Sequence, residues 1–174
     1  MPKFKSVKEA HAYITEQLTK KVDETLADEV FDAVRDAQIV TIRDEVYSKY
    51  EPNTYGRRNE SGGLADPNNI QMEKQPQNGV LSVVNVTKPN ISRGSYGGNK
   101  RNFARVVRNA SRKSLPELIE YGHGDPYRYD FVTDGTYMQP RPFTETTITM
   151  LRISREHIKA LRKGLRKRKV NVVK

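Results

Sequence analysis

The chain contains no cysteine, so it can form neither a disulfide framework nor a thiolate site, which suits an intracellular protein or a particle assembled in a cytosol. No apolar run approaches ~18 residues, so we expect no membrane span. The opening segment MPKFKSVKEAHAY lacks the apolar core of a signal peptide. Hydrophobic residues make up only 35% of the 174 positions. This composition predicts a thin core, with parts that are either disordered alone or ordered by partners.

Histidine is scarce as well. None of His11, His123 and His157 has a second histidine or a cysteine at ligand spacing, which argues against a zinc-type site. His123 lies between two glycines with Asp125 and Asp130 nearby, which leaves a metal or acid–base role as an alternative. A solvated loop histidine is the favoured interpretation.

The other patterns of enzyme chemistry are incomplete. The glycine-rich stretch Gly94–Lys100 lacks the G-x-x-x-x-G-K-[ST] spacing of a phosphate loop. No Ser/His/Asp set is recognisable, and the acids of Glu117–Asp134 are expected to be solvated. The sequence therefore predicts a protein that is not an enzyme and that holds no cofactor or metal.

Helical signals dominate the first 50 residues. Ser6-Val7-Lys8-Glu9 has the form of a capping box and predicts a helix to about Lys20. From Asp23 to Tyr50 there is no proline or glycine, which predicts a second, longer helix.

A hairpin is predicted next, because Asn78-Gly79 separates two segments with strand character, Ile70–Gln75 and Val80–Val86. Pro76 limits or ends the first strand. The second is apolar on both faces and is predicted to be central in its sheet. The fold class expected is α+β, with a small, mainly antiparallel sheet, long helices at both chain ends and extended loops.

Positive charge is concentrated at the C-terminus. Residues 152–174 carry ten Lys and Arg and one acid, whereas the remainder carries 21 basic and 20 acidic side chains. We therefore divide the chain into a domain at 1–151 and a basic helix at 152–174. Ile158, Leu161 and Leu165 share one face of that helix and are expected to dock. The cations that cover the rest of the helix are Arg155, Lys159, Arg162, Lys163 and Arg166, and the basic tail also includes Lys167, Arg168 and Lys169.

Such a charged face predicts an acidic partner. Three interpretations stay open: an acidic protein surface, which is favoured, nucleic acid, or a solvated tail that contacts nothing.

Tyrosine and arginine cluster in the long loops. These residues are enriched at protein interfaces, and the loop from Tyr50 to Ile70 has a composition that is not expected to bury itself. The sequence therefore predicts interface residues at Tyr50, Tyr55, Arg57, Arg58, Tyr96, Tyr127 and Tyr129.

The stretch from Leu115 to Leu151 organises the rest of the chain. A short apolar run ends at Tyr121-Gly122, a tyrosine-rich loop follows, and Gln139-Pro140-Arg141-Pro142-Phe143 leads into a helical pattern. Pro142 suits the first turn of a helix. Pro140 and Pro142 are predicted to stiffen a turn whose anchor, Phe143, is buried.

The order x-Glu-Tyr-Gly, tyrosine loop, Pro-Phe, helix resembles the tail-completion or head–tail joining proteins of tailed bacteriophages. The segment Tyr50–Ile70, with Tyr-x-Arg-Arg and Gly-Gly-Leu-x-Asp elements, is similar to a variant of that family from phages of Gram-positive hosts.

The resemblance implies a non-enzymatic virion protein, assembled in the host cytoplasm, that forms a homo-oligomeric ring at the neck. Its partners would be copies of itself, a connector or adaptor ring, and the tail tube or terminator, with DNA passing through the channel. The loops at 88–102 and 124–139 depart from the simpler pattern. Terminator, completion protein and adaptor therefore all stay open as its place in the neck.

Overall fold

The computed structural model describes residues 3–49, 61–88, 115–122 and 139–172. Within them the fold is α+β, as the sequence predicts. The α-helices are α1 (Val7–Thr25), α2 (Phe31–Ile42), α3 (Leu115–Tyr121), α4 (Phe143–Ser154) and α5 (Glu156–Lys167). The strands are β1 (Ile70–Met72) and β2 (Val83–Asn85), and a short 3₁₀ turn, Pro67–Asn69, precedes β1.

The chain divides into two compact units. Unit 1 contains Met1–Asp36, Met72–Val84 and Leu151–Lys174. Unit 2 contains Ala37–Gln71 and Asn85–Met150. The basic C-terminal segment therefore belongs to the same unit as α1.

The first helical segment does not break near Lys20. It continues from Val7 to Tyr47, with π-helical turns at Leu26–Val30 and Arg43–Tyr47 on either side of α2. The prediction of two separate helices is therefore wrong. The physical reason is that no proline or glycine lies between residues 3 and 49, so nothing stops propagation.

Half of the predicted capping box forms at the start of α1. The Ser6 hydroxyl accepts a hydrogen bond from the Glu9 N–H at 3.1 Å, as an N-cap should. The Glu9 carboxylate does not reach the Ser6 N–H. It accepts from the Lys5 N–H instead, at 2.8 Å, and so satisfies a donor one residue earlier.

The Asn-Gly turn forms as predicted. Asn78 and Gly79 have φ of 53° and 78°, the positive pair that a type I′ turn needs. Glu73 donates to the Ser82 carbonyl, and the next pair towards the turn is Gln77 with Val80. Three residues, 74–76, therefore lie opposite a single residue, Leu81. Pro76 has no N–H to donate, so the ladder is interrupted there.

The prediction of a central strand is wrong. β2 covers only Val83–Asn85, and in the part of the chain that the structure describes it pairs with β1 alone. Val80 and Val86 are exposed. The bulge around Pro76 separates Val80 from the ladder, so an apolar alternation on both faces does not place the segment inside a sheet.

The core of unit 2 draws on segments distant in sequence. Its fully or nearly fully buried side chains are Ile42, Leu64, Ala65, Ile70, Thr87 and Phe143. Thr41 and Thr147 are also buried and satisfy each other, since their hydroxyl oxygens form a hydrogen bond. Gln38 is buried in the same unit, and its side-chain Oε1 has no hydrogen-bond partner among the described residues.

Candidate functional site

A carboxylate joins the two halves of the organising stretch. Glu120, in the last turn of α3, accepts hydrogen bonds from the N–H of Thr144 at 3.0 and 3.2 Å and from that of Glu145 at 3.4 Å. These are N-terminal donors of α4 that have no partner inside the helix. A carboxylate there also interacts favourably with the helix dipole. Glu120 therefore caps a helix that begins more than twenty residues later.

Backbone geometry brings Glu120 to that position. Gly122 ends α3 with φ of 69°, a conformation that favours glycine. The returning chain is held by a hydrogen bond from the Arg141 N–H to the Ile119 carbonyl at 2.9 Å. Ile119 itself is buried. The x-Glu-Tyr-Gly element and the Pro-Phe element are thus parts of one local structure.

Phe143 is the buried anchor that the sequence predicts, with 1% of its surface exposed. Pro142 stands immediately before α4, and its carbonyl accepts from the Thr146 N–H at 3.0 Å. Pro140 and Pro142 are themselves exposed. They therefore shape the approach to the helix while Phe143 fills the core.

The Gly-Gly-Leu-x-Asp element forms a packed loop. Asp66 accepts hydrogen bonds from the N–H groups of Gly62 and Asn68, which hold the pKa of its carboxyl below the usual value. Leu64 and Ala65, which lie between Gly62 and Asn68 in the sequence, are buried. The prediction that this stretch cannot bury itself is wrong for residues 63–66 and for Ile70, whereas Ser61, Gly62, Pro67 and Asn68 are exposed.

Side chains from other segments make this burial possible, because they satisfy the loop's backbone. The Ala65 N–H donates to the Tyr47 hydroxyl at 3.2 Å. The Leu64 carbonyl accepts from the Asn85 amide at 2.8 Å, and the Gly63 carbonyl accepts from the Thr87 hydroxyl at 3.2 Å. Polar side chains from other segments therefore provide hydrogen-bond partners for the backbone of a buried loop.

The basic helix α5 docks on the first helical segment. Leu165, one of the three predicted docking residues, is buried, and Ile158 and Leu161 are half-buried. Gly164 is buried too. A Cβ added there would lie 2.6 Å from Glu29 Oε2 and would also clash with the Thr25 side chain. Only glycine allows this close approach.

Arg168 is the centre of an acidic clamp. Its guanidinium donates to Glu29 Oε2 at 2.8 Å and to the Asp28 carboxylate, and it lies 3.6 Å from Glu24 Oε2. It also donates to the backbone carbonyl of Glu24 at 3.2 Å. Arg168 is 14% exposed. The sequence identifies Arg168 only as a cation of the basic tail, whereas the structure turns it inward, onto acids of the first helical segment.

The clamp affects the pKa of Glu29. Burial acts to raise the pKa of its carboxyl, but hydrogen bonds and charge from Arg168, with a further contribution from Lys167, leave that pKa below its ordinary value. Asp28 and Glu29 both lie in the π-helical turn Leu26–Val30. π-helical turns often occur at functional positions.

The other predicted cations of α5 divide into two groups. Lys159 pairs with Glu156 at 2.6 Å, and Lys167 lies 3.4 Å from Glu29. Among the described residues no ion pair is found for the rest, all of which are exposed as predicted: Arg155, Arg162, Lys163, Arg166 and Lys169.

Both ends of α5 have left-handed residues. Arg155, between α4 and α5, has φ of 56°, and Lys169 has φ of 58°. Lys169 donates to the Arg166 carbonyl and Val170 donates to the Leu165 carbonyl, which closes the helix in a Schellman motif.

The predicted interface residues of the loops lie outside the described residues. They are Tyr50, Tyr55, Arg57, Arg58, Tyr96, Tyr127 and Tyr129, and the alternative site at His123, Asp125 and Asp130 lies outside them as well. Among residues 3–49, 61–88, 115–122 and 139–172, no group of three or more His, Asp or Glu side chains is arranged to hold a metal ion. Of the helices in those ranges, none combines the length and hydropathy needed to cross a bilayer.

Sequence reasoning missed Glu120 as a cap, and it missed the acids of the clamp. One signal for the clamp is present in the composition. Residues 23–36 contain six acids and a single base, next to the helix where a strongly basic segment finally packs.

A family model described as YomN matches residues 7–167. No similar curated protein and no similar solved structure is found.

Proposed function

The chain belongs to the YomN family, and we propose that it is a structural protein of the head–tail junction of a tailed bacteriophage, without a catalytic site. In this proposal it assembles as a ring of identical subunits. The ring contacts a connector or adaptor ring on the head side and the tail tube or terminator on the other side.

The link between Glu120 and the start of α4 carries the proposal. The resemblance to head–tail joining proteins rests on an order of elements, x-Glu-Tyr-Gly and then Pro-Phe with a helix. Glu120 caps α4 at Thr144, and Phe143 is buried at the same point. The order therefore corresponds to a physical unit with a structural reason for each element, rather than to an accidental string of residues.

Exposed apolar side chains support an assembly role. Along the first turns of α1 and just before it, Phe4, Val7, Ile14 and Leu18 are all exposed. Spacings of seven and four residues place the last three on one side of the helix. An apolar stripe of this kind marks a surface that another macromolecule covers.

The test is removal of the chain from the phage that encodes it, with particles counted by electron microscopy. We expect filled heads and finished tails to accumulate unjoined, and joined particles to return when the wild-type chain is supplied in trans. Joined particles in normal numbers without the chain would exclude a role at the junction.

Nucleic-acid binding is a second candidate, favoured by the exposed cations Arg162, Lys163 and Arg166 on α5. Binding by phosphate contacts should weaken steeply as salt rises. A mobility-shift titration of a DNA duplex, at two salt concentrations, would detect it. Replacement of the three cations by glutamine should abolish the shift, whereas replacement of Lys8 and Arg152, two exposed cations elsewhere, should not.

A further inference from the structure

The outer face of α5 carries cations that the subunit itself does not neutralise. Arg162, Lys163 and Arg166 lie at i, i+1 and i+4, so they project from one side of the helix. In the described part of the chain none of them has an acidic partner within ion-pair distance, whereas Arg168, in the same segment, contacts three carboxylates. The subunit therefore satisfies one side of its basic segment and leaves the other side charged.

Unit 1 also contains an acidic groove. It has a volume of about 640 Å³ and lies between α1 with the following π-helical turn and the hairpin segment Gln75–Asn78. Its charged lining consists of four carboxylates and one amine: Glu16, Asp23, Glu24, Asp28 and Lys20. Glu24 and Asp28 also contact Arg168, so Glu16 and Asp23 are the groove acids for which the described residues provide no ion pair. The groove is long enough to face several turns of a helix.

The wall of the groove is held in place by Asp23. Its carboxylate accepts hydrogen bonds from the N–H groups of Asn78 at 3.1 Å and Gly79 at 2.7 Å, so the hairpin turn is fixed against α1. These donors are neutral, and the negative charge of Asp23 is retained. Glu16, at the other end of the groove, is exposed.

Glu24 and Asp28 line the groove and also contact Arg168, but the rest of the groove and the helix–helix contact with α5 use different sides of α1. Glu16, Lys20 and Asp23 recur at four and three residues and face the groove. Thr25, which faces Gly164 of α5, is two residues beyond Asp23, or about 200° around the helix. The outer cations of α5 point away from α1 as well. A subunit therefore cannot place its own α5 face in its own groove, but a neighbouring subunit can.

We propose that the outer face of α5 in one subunit docks in the acidic groove of a second copy of the same chain. The two surfaces differ, so the contact is heterologous and head-to-tail, and repetition generates a ring or a filament. The inference rests on the proposed assembly role, because it identifies the subunit–subunit contact of the ring.

Charge complementarity favours a second copy over nucleic acid as the occupant. A basic face on nucleic acid would leave Glu16 and Asp23 of the groove without a cation partner. Docking between copies brings the cations of α5 to the net negative groove, and it disfavours registers that place like charges together.

A charge swap tests the contact. The double variant Arg162→Glu with Lys163→Glu reverses the charge of the docking face. The double variant Glu16→Lys with Gln77→Lys reverses the charge of the groove. None of these four residues takes part in the Arg168 clamp or in the hydrogen bonds of Asp23 with the hairpin turn. In sedimentation velocity at low salt, the wild-type chain should self-associate. Each double variant alone should associate ~10–100-fold more weakly, and a mixture of the two should recover association through the one pairing that is again complementary.

The matched control is Lys8→Glu with Arg152→Glu, which makes the same change in net charge at exposed positions away from both surfaces. It should associate like the wild type. Association that is equally strong in the α5 variant would overturn the inference, and so would a wild-type chain that stays monomeric into the hundred-micromolar range. A wild-type monomer that shifts a DNA duplex, with the shift lost in the α5 variant, would assign the face to nucleic acid instead.

The particle-joining experiment separates this inference from the proposed function. If loss of the chain leaves heads and tails unjoined but the α5 and groove variants still join them, the role at the junction stands and the subunit contact is elsewhere. If the charge swap governs association but particles join without the chain, the contact stands and the role at the junction is wrong.

Discussion

Two amphipathic helices of unit 1 differ in whether their apolar side is covered. In α5 the apolar side is covered, since Gly164 and Leu165 are buried against the first helical segment. In the first half of α1 the apolar side is open, with Val7 87% and Ile14 61% exposed. Both helices show the same periodicity in the sequence. Periodicity therefore identifies an apolar face but does not say what covers it.

Two features distinguish the covered helix. A glycine at the point of closest approach lets two helix backbones come together, and an arginine at the end of α5 meets three carboxylates of the first helical segment. The stretch Val7–Leu18 has no glycine. Within the described residues its apolar positions stay exposed, which is the state expected of a face reserved for another molecule.

The largest effect should come from the best-covered side chain, in unit 2. Phe143→Ala removes a fully buried ring at the start of α4 and should lower the free energy of unfolding by about 3–5 kcal/mol. Urea denaturation followed by circular dichroism measures it. Ile148→Ala, at an exposed position of the same helix, is the control and should cost less than about 1 kcal/mol. Equal losses in both variants would show that burial of Phe143 is not the cause.

Gly164→Ala should destabilise the contact between α5 and the first helical segment. Alanine favours a helix over glycine by about 1 kcal/mol, but its Cβ clashes with Thr25 and Glu29. We expect a net loss of about 1–3 kcal/mol, typical of overpacking. Thr25→Ser removes the clashing methyl group and keeps the hydroxyl, so the double variant should recover part of the loss. A stabilised single variant would mean that the helices are not in close contact.

Arg168→Ala should cost about 1–2 kcal/mol at neutral pH, between the values for exposed and buried ion pairs. It leaves the acids Glu24, Asp28 and Glu29 facing one another. Arg166→Ala, a neighbouring cation without an acidic partner in the described residues, should change stability by less than about 0.5 kcal/mol. Unfolding curves of the two variants in parallel make the comparison.

Acid should weaken the same clamp in the wild type. Because the folded-state pKa of Glu29 is lowered, its contribution is complete above the unfolded-state value of about 4.3 and is lost as the pH falls through the folded-state pKa. Stability measured at pH 7 and again below pH ~4 should therefore fall more in the wild type than in the Arg168→Ala variant. Parallel pH profiles would contradict the assignment.

The smallest effect on folding should come from the open face. Ile14→Gln with Leu18→Gln should change the free energy of unfolding by less than about 0.5 kcal/mol each, because neither side chain is covered. Leu165→Gln on the covered helix is the matched comparison and should be clearly destabilising. The open-face variant should instead reduce the yield of joined particles in trans complementation. A large loss of stability would show that the face is covered within the subunit.

Local signals in the sequence predicted local structure well. The Ser6 cap, the Asn78-Gly79 turn and the burial of Phe143 each depend on a few adjacent residues, and each forms. The α+β class follows from the same signals. The burial of residues 63–66 was missed because Leu64 and Ala65 lie among glycines and polar residues. The groups that satisfy the backbone of residues 63–65 come from Tyr47, Asn85 and Thr87.

Periodicity and composition do not indicate which residues distant in sequence become partners. Glu120 has no local feature that identifies Thr144 as its partner. Arg168 stands in a run of four cations, Arg166–Lys169, and only the end of α5 distinguishes it from its neighbours. In both cases the missing information is which carboxylate meets which donor across the fold.

The cap that Glu120 places on α4 has a consequence for chain entropy. The segment 123–138 leaves after Gly122 and returns at Gln139, and its two ends are held together by the Glu120 carboxylate and by the Arg141 N–H bond to Ile119. Once the ends are fixed in this way, doubling the length between them costs only about 0.6 kcal/mol in closure entropy. The number of residues between Gly122 and Gln139 can therefore change at little cost in closure entropy, while Phe143 and α4 keep their positions.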